Sequence, residues 1–78
     1  MSINKAIALR ISELLHKNDI TQYELSKRST LEQSTISHIL DESTKFIKIQ
    51  TLFKIADAFG LTIIEFFDDK IFKNIEIY

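Results

Sequence analysis

The chain has 78 residues, 45% apolar and 27% charged, with one glycine, no proline and no cysteine. That bounds it to one small domain. It excludes collagen-like, low-complexity and disordered chains, and with them disulfides, thiolate metal sites and cysteine nucleophiles. The first predicted element is a helix over Asn4 to Lys17, where Ile3, Ile7, Ile11, Leu14 and Leu15 recur at steps of three and four. Asn18 and Asp19 favour turns and end it. Thr21 and Glu24 spell a capping box, so a second helix runs from Gln22 to about Ser29 with Leu25 as its core residue. After a short break, a third helix covers Gln33 to Leu40 with Ile36 and Ile39 inward. Asp41 to Lys48 reads as a polar loop carrying Phe46 and Ile47.

A fourth helix spans Ile49 to Phe59, its period set by Leu52, Phe53, Ile55, Ala56 and Phe59. The single glycine, Gly60, follows where a left-handed helix end wants one. Thr62 and Glu65 form a second capping box for a short fifth helix ending near Phe67. Beyond it Ile71, Lys73, Ile75 and Ile77 alternate with Phe72, Asn74, Glu76 and Tyr78, a period that hints at an extended strand. Such a strand has no pairing partner inside an all-helical domain. The expected fold is all-α, five helices over residues 1–67 and a tail over 68–78.

The net charge of −1 is unevenly spread: residues 1–30 sum to +2, residues 31–54 to 0 and residues 55–78 to −3. A positive front and an acidic back suit a protein with one anion-facing surface. No stretch reaches the ~20 apolar residues of a membrane span, and no basic-then-apolar leader opens the chain. A soluble, cytoplasmic protein is therefore expected, with no membrane partner.

The segment TQYELSKRSTLEQSTISHIL meets the demands of a DNA-reading helix pair. Ser26 is small where two helices must cross, and Leu31 can plug the turn. Ile36 and Ile39 point one face of the third helix inward, while Gln33, Ser34 and Ser37 put hydrogen-bonding groups on the other. With ITQYELS, QSTISHIL and TLFKIADAFGLTIIEFF in order, the chain resembles the Xre (Cro/cI-type phage repressor) helix-turn-helix regulators over about residues 5–67. The resemblance implies a compact lambda-repressor-like domain that binds double-stranded DNA, without a cofactor and without enzymatic activity.

On that resemblance the second helix sets Gln22 on a phosphate and the third enters the major groove. Gln33 would pair with adenine, Ser34 would reach base edges or phosphate, and Ser37 and His38 would reach the next bases or the backbone. Thr35 would touch phosphate or support the turn, and Lys45 would grip the backbone from the following loop. Arg10 has two readings, a phosphate contact or a pair with an acid. Four residues depart from the family pattern: Thr30 and Asp19 stand at usual glycines, Glu32 at a usual Ser or Thr cap, and His38 at a usual Arg, Lys or Asn. If position 30 needs a positive φ, its β-branched residue costs ~1–2 kcal/mol.

His16 and His38 lack a metal-ligand spacing, so no metal site is expected, and Asp68-Asp69 reads as a solvated acidic turn. Ile64, Phe67, Ile71, Phe72, Ile75 and Ile77 are apolar residues in or beyond the fifth helix. Exposed together they would form a large patch. They suggest a homodimer through the fifth helix and paired tails; the other reading folds the tail over its own core. The expected function is a transcriptional regulator, most simply a repressor binding a palindromic operator as a dimer. Its control would come from concentration, a regulatory protein partner or proteolysis. The alternative is an antitoxin-like protein-binding module on the same fold, which the near-zero charge, Thr30 and Glu32 favour.

Overall fold

A computed structural model describes residues 1–75. Five α-helices follow in chain order: α1 (Ile3–Lys17), α2 (Gln22–Ser29), α3 (Gln33–Leu40), α4 (Ile49–Ala58) and α5 (Ile63–Phe67), then a 3₁₀ turn, Lys70–Asn74. The unit measures 32 × 23 × 21 Å. α1 lies against α3 and the 3₁₀ turn, α2 against α3 and α4, and α4 against α5.

The helix ends follow local chemistry. Ser2 caps α1 by accepting from the Lys5 N–H at 3.2 Å, and the Asn18 amide closes it by donating to the Leu14 carbonyl at 2.8 Å. Both predicted capping boxes form, at Thr21 with Glu24 and at Thr62 with Glu65. Each satisfies two amides that a helix start otherwise leaves open. Gly60 ends α4 at φ +73, with its amide donating to Asp57 at 2.9 Å.

One core holds the helices together. It gathers Ile7, Ile11 and Leu14 from α1, Leu25 from α2, Ile36 and Ile39 from α3, Leu52, Ile55 and Ala56 from α4, and Phe66 from α5. Each large side chain fully buried here contributes about 1.5–3 kcal/mol. Phe53, expected inward, is 51% exposed. The inward stripe of α4 is Leu52, Ile55, Ala56 and Phe59, and position 53 falls a helical step of ~100° beyond Leu52.

The tail departs from the predicted strand. Asp69 accepts from the Ile71 N–H through its carboxylate at 2.9 Å and from the Phe72 N–H through its carbonyl at 3.1 Å, winding Lys70–Asn74 into a 3₁₀ turn. The alternation was misleading because the turn half-buries the adjacent Ile71 and Phe72. Phe72 packs on the core, its ring 4.9 Å from Phe67 and 6.3 Å from Phe66. Ile77 and the rest of the predicted strand beyond Ile75 lie outside the described residues.

Candidate nucleic-acid interface

The turn between α2 and α3 fixes their mutual angle. Ser26, small and 9% exposed, donates to the Tyr23 carbonyl at 2.6 Å. The buried Ser29 hydroxyl donates to the Leu25 carbonyl at 2.7 Å and accepts from the Leu31 N–H at 3.4 Å. Thr30 adopts the left-handed conformation, φ 60 and ψ 21. The backbone therefore keeps the turn that glycine would favour, and the threonine carries the strain. Leu31 then packs on the core as a plug.

α3 starts at Glu32, whose side chain makes no cap bond. Its carbonyl accepts from Thr35 at 3.0 Å and Ile36 at 3.4 Å. With Ile36 and Ile39 buried, the helix period turns Gln33, Ser34, Ser37 and His38 to the exposed side. Thr35 is half-buried at the edge of that side, lining a groove with Leu31, Phe46 and Ile47. Gln22, the first residue of α2, is also exposed. Glu32, with its carboxylate 3.5 Å from the Ser34 hydroxyl, puts one negative charge at the start of α3.

The loop after α3 is tied to it and to α1. The His38 carbonyl accepts from the Ser43 N–H at 3.0 Å and the Thr44 N–H at 3.2 Å. Ser43 holds the Asp41 carboxyl below the usual carboxylate range, through its hydroxyl and its amide, the latter at 2.9 Å. Across the molecule, the Asn4 amide donates to the carbonyls of Thr44 at 3.2 Å and Lys45 at 2.9 Å. Lys45 is exposed on this anchored segment. Sequence reading missed the Asn4 clamp; its one signal was a polar residue immediately beside the apolar stripe of α1.

Arg10 resolves to the acid-pair reading. It is 8% exposed, and its guanidinium donates to the carbonyls of Phe66 at 2.7 Å and Glu65 at 3.0 Å. The same group pairs with Asp69 at 3.2 Å and Glu13 at 3.3 Å. It closes the C-terminal end of α5 and is not available to a phosphate. Asp69 is accordingly no solvated turn residue. The Ile71 amide, and then the Arg10 charge, hold its carboxyl below the usual range. Asp68 is exposed as expected.

The apolar residues of α5 and the tail divide. Phe67 is half-buried, edge-on to Phe66 at 5.2 Å. Ile71, Phe72 and Ile75 are half-buried as well. Ile64 alone among them stands out at 79% exposed, beside a groove lined by Ile63, Phe67 and Asp68. Among the described residues no cluster of His, Asp or Glu could hold a metal ion, and no helix is long and apolar enough to cross a membrane.

A capped short helix, a left-handed turn with an apolar plug, and a second helix with an exposed polar edge together define a helix-turn-helix DNA-binding domain. The chain belongs to the Cro/C1-type HTH DNA-binding domain family, whose model matches residues 10–70. Comparison with curated proteins and with solved structures gave no match.

Proposed function

We propose that the protein is a sequence-specific transcriptional regulator, a repressor that binds a palindromic operator as a homodimer. The observation that carries this reading is the outward edge of α3. Gln33, Ser34, Ser37 and His38 are all exposed on a helix whose other face is locked by Ile36 and Ile39. In this reading Gln33 pairs with an adenine through N6 and N7. Ser34, Ser37 and His38 reach neighbouring bases or phosphates, Thr35 supports the turn or meets phosphate, and Gln22 and Lys45 hold the backbone on either side. Ile64, exposed beside Ile63 and Phe67, centres the dimer contact. A two-fold pair would set the two α3 helices about 34 Å apart, one turn of the duplex.

Selection from a random duplex library tests this directly: a two-fold symmetric consensus is expected. Binding to it should weaken steeply with salt, as counterion release requires. Gln33→Ala should lose ~1–3 kcal/mol of discrimination at one base pair per half-site while keeping the fold. A protein that enriches no sequence and binds DNA without salt dependence is not this regulator, and the protein-binding module then takes its place.

A further inference from the structure

Phe46 is the most exposed large apolar residue among those described, at 82%. A lone exposed aromatic is ordinary, but the backbone that carries this one is anchored on both sides. The residue before it is clamped through its carbonyl by Asn4 at 2.9 Å. The residue after it, Ile47, packs on the core. Two residues upstream, the Thr44 N–H is bonded to the His38 carbonyl of α3 at 3.2 Å. These ties fix the backbone on either side of Phe46.

The surroundings favour one kind of partner. Lys45 and Lys48 are both exposed, and neither has an acidic partner among the described residues. The Lys45 ammonium lies 5.7 Å from the Phe46 ring centroid. Phe46 also shares its groove with Thr35, on the edge of the α3 face. An apolar ring with a cation over it, sharing a groove with Lys48 and with Thr35 of α3, matches a strand of alternating sugar and phosphate. A protein surface would have to bring an apolar pocket flanked by two acids to the same place.

We infer that Phe46 is a DNA-contact residue, its ring lying on the deoxyribose face of the backbone while Lys45 and Lys48 meet the flanking phosphates. This rests on the proposed DNA-binding reading and adds to it a contact of apolar character. A sugar contact carries no sequence information. Its loss should lower affinity for every duplex alike. It should also leave the salt slope intact, because no charge is removed.

The test uses a 30-base-pair duplex, on the order of three helical turns, recovered by selection, its single-base variants and an unrelated duplex, each titrated at several salt concentrations. Phe46→Ala should weaken binding about tenfold on all of them, the scale of one apolar side chain leaving its contact. Its salt slope and melting temperature should stay at the wild-type values. Phe46→Leu should restore most of the affinity. Lys45→Ala should instead reduce the salt slope by about one. Unchanged affinity in Phe46→Ala, a loss confined to one operator position, or a loss that tracks a weaker dimer in sedimentation each overturns the inference. Wild-type protein that binds none of the duplexes overturns the DNA-binding reading and this contact with it. Wild-type binding with an indifferent Phe46→Ala overturns the contact alone.

Discussion

Two residues show how single side chains are set against the fold around them. Thr30 occupies φ 60 between α2 and α3. A β-branched residue there costs ~1–2 kcal/mol, and its hydroxyl bond to the Ser29 carbonyl at 2.6 Å is local. Thr30→Gly relieves that strain but adds unfolded-chain entropy of roughly 0.5–1 kcal/mol. The net expectation is a gain of up to about 1.5 kcal/mol, or up to roughly 6–12 °C in melting temperature. A lower melting temperature would mean the threonine conformation is not strained. Asp69 is the second case. Its depressed carboxyl stabilises the folded state fully above the ordinary aspartate value near ~3.9, and that stabilisation fades as pH falls through the lower native value. Asp69→Asn keeps an oxygen for the Ile71 amide but loses the charge facing Arg10. It should melt below wild type at pH 7, with the gap narrowing as pH falls below the ordinary aspartate value of ~3.9 and through the lower native one. A gap of constant size across that range would assign the contact to hydrogen bonding alone.

Among the elements, α3 and α4 both start without a side-chain cap. α1, α2 and α5 each have a side chain bonded into the first turn, while Glu32 makes no such bond. Its negative charge suits the helix dipole, worth ~0.3–1 kcal/mol, whereas a serine cap is worth about 1 kcal/mol. Glu32→Ser should therefore change stability little, within about 0.5 kcal/mol. It should strengthen DNA binding at low salt, because a like charge leaves the edge proposed to meet DNA, and the gain should shrink as salt rises. Equal or weaker binding in a gel shift would show Glu32 accepting a hydrogen bond from the DNA, as from a cytosine amino group. α5 is held differently. Arg10 donates to its last carbonyls, so a helix of only five residues persists against the core.

For the molecule as a whole, the proposed two-fold assembly turns on Ile64. The tail is partly accounted for within the monomer, since Phe72 packs on Phe66 and Phe67. Ile64 is not, at 79% exposed above the groove with Ile63 and Phe67. Ile64→Lys should leave the melting temperature at low protein concentration within a few degrees, because little burial is lost in the monomer. It should abolish a concentration-dependent dimer in sedimentation equilibrium and weaken binding to a two-half-site duplex far more than to a single half-site. A dimer that survives the lysine places the two-fold contact elsewhere.

The helices were legible in the residues because their signals are local. α2 and α3 begin and end where Thr21, Glu24 and the Ile36–Ile39 spacing put them. Gly60 and the Thr62–Glu65 box likewise mark the turn into α5. The polar edge from Gln33 to His38 was legible for the same reason: helix period alone sends it opposite the buried isoleucines. What could not be read was anything set by groups distant in the chain. Arg10 meets Asp69 from 59 positions away, and Asn4 reaches Lys45 across 41. The tail's alternation gave way to the aromatic packing of Phe72, and Phe53 turned out to lie off the inward stripe. Sequence determined the helices, the two capping boxes and the exposed polar face of α3, because hydrogen bonds and periodicity act within a few residues. Tertiary structure decided the fate of the charges, the tail and Phe46, because burial and pairing depend on which distant groups the packed core brings together.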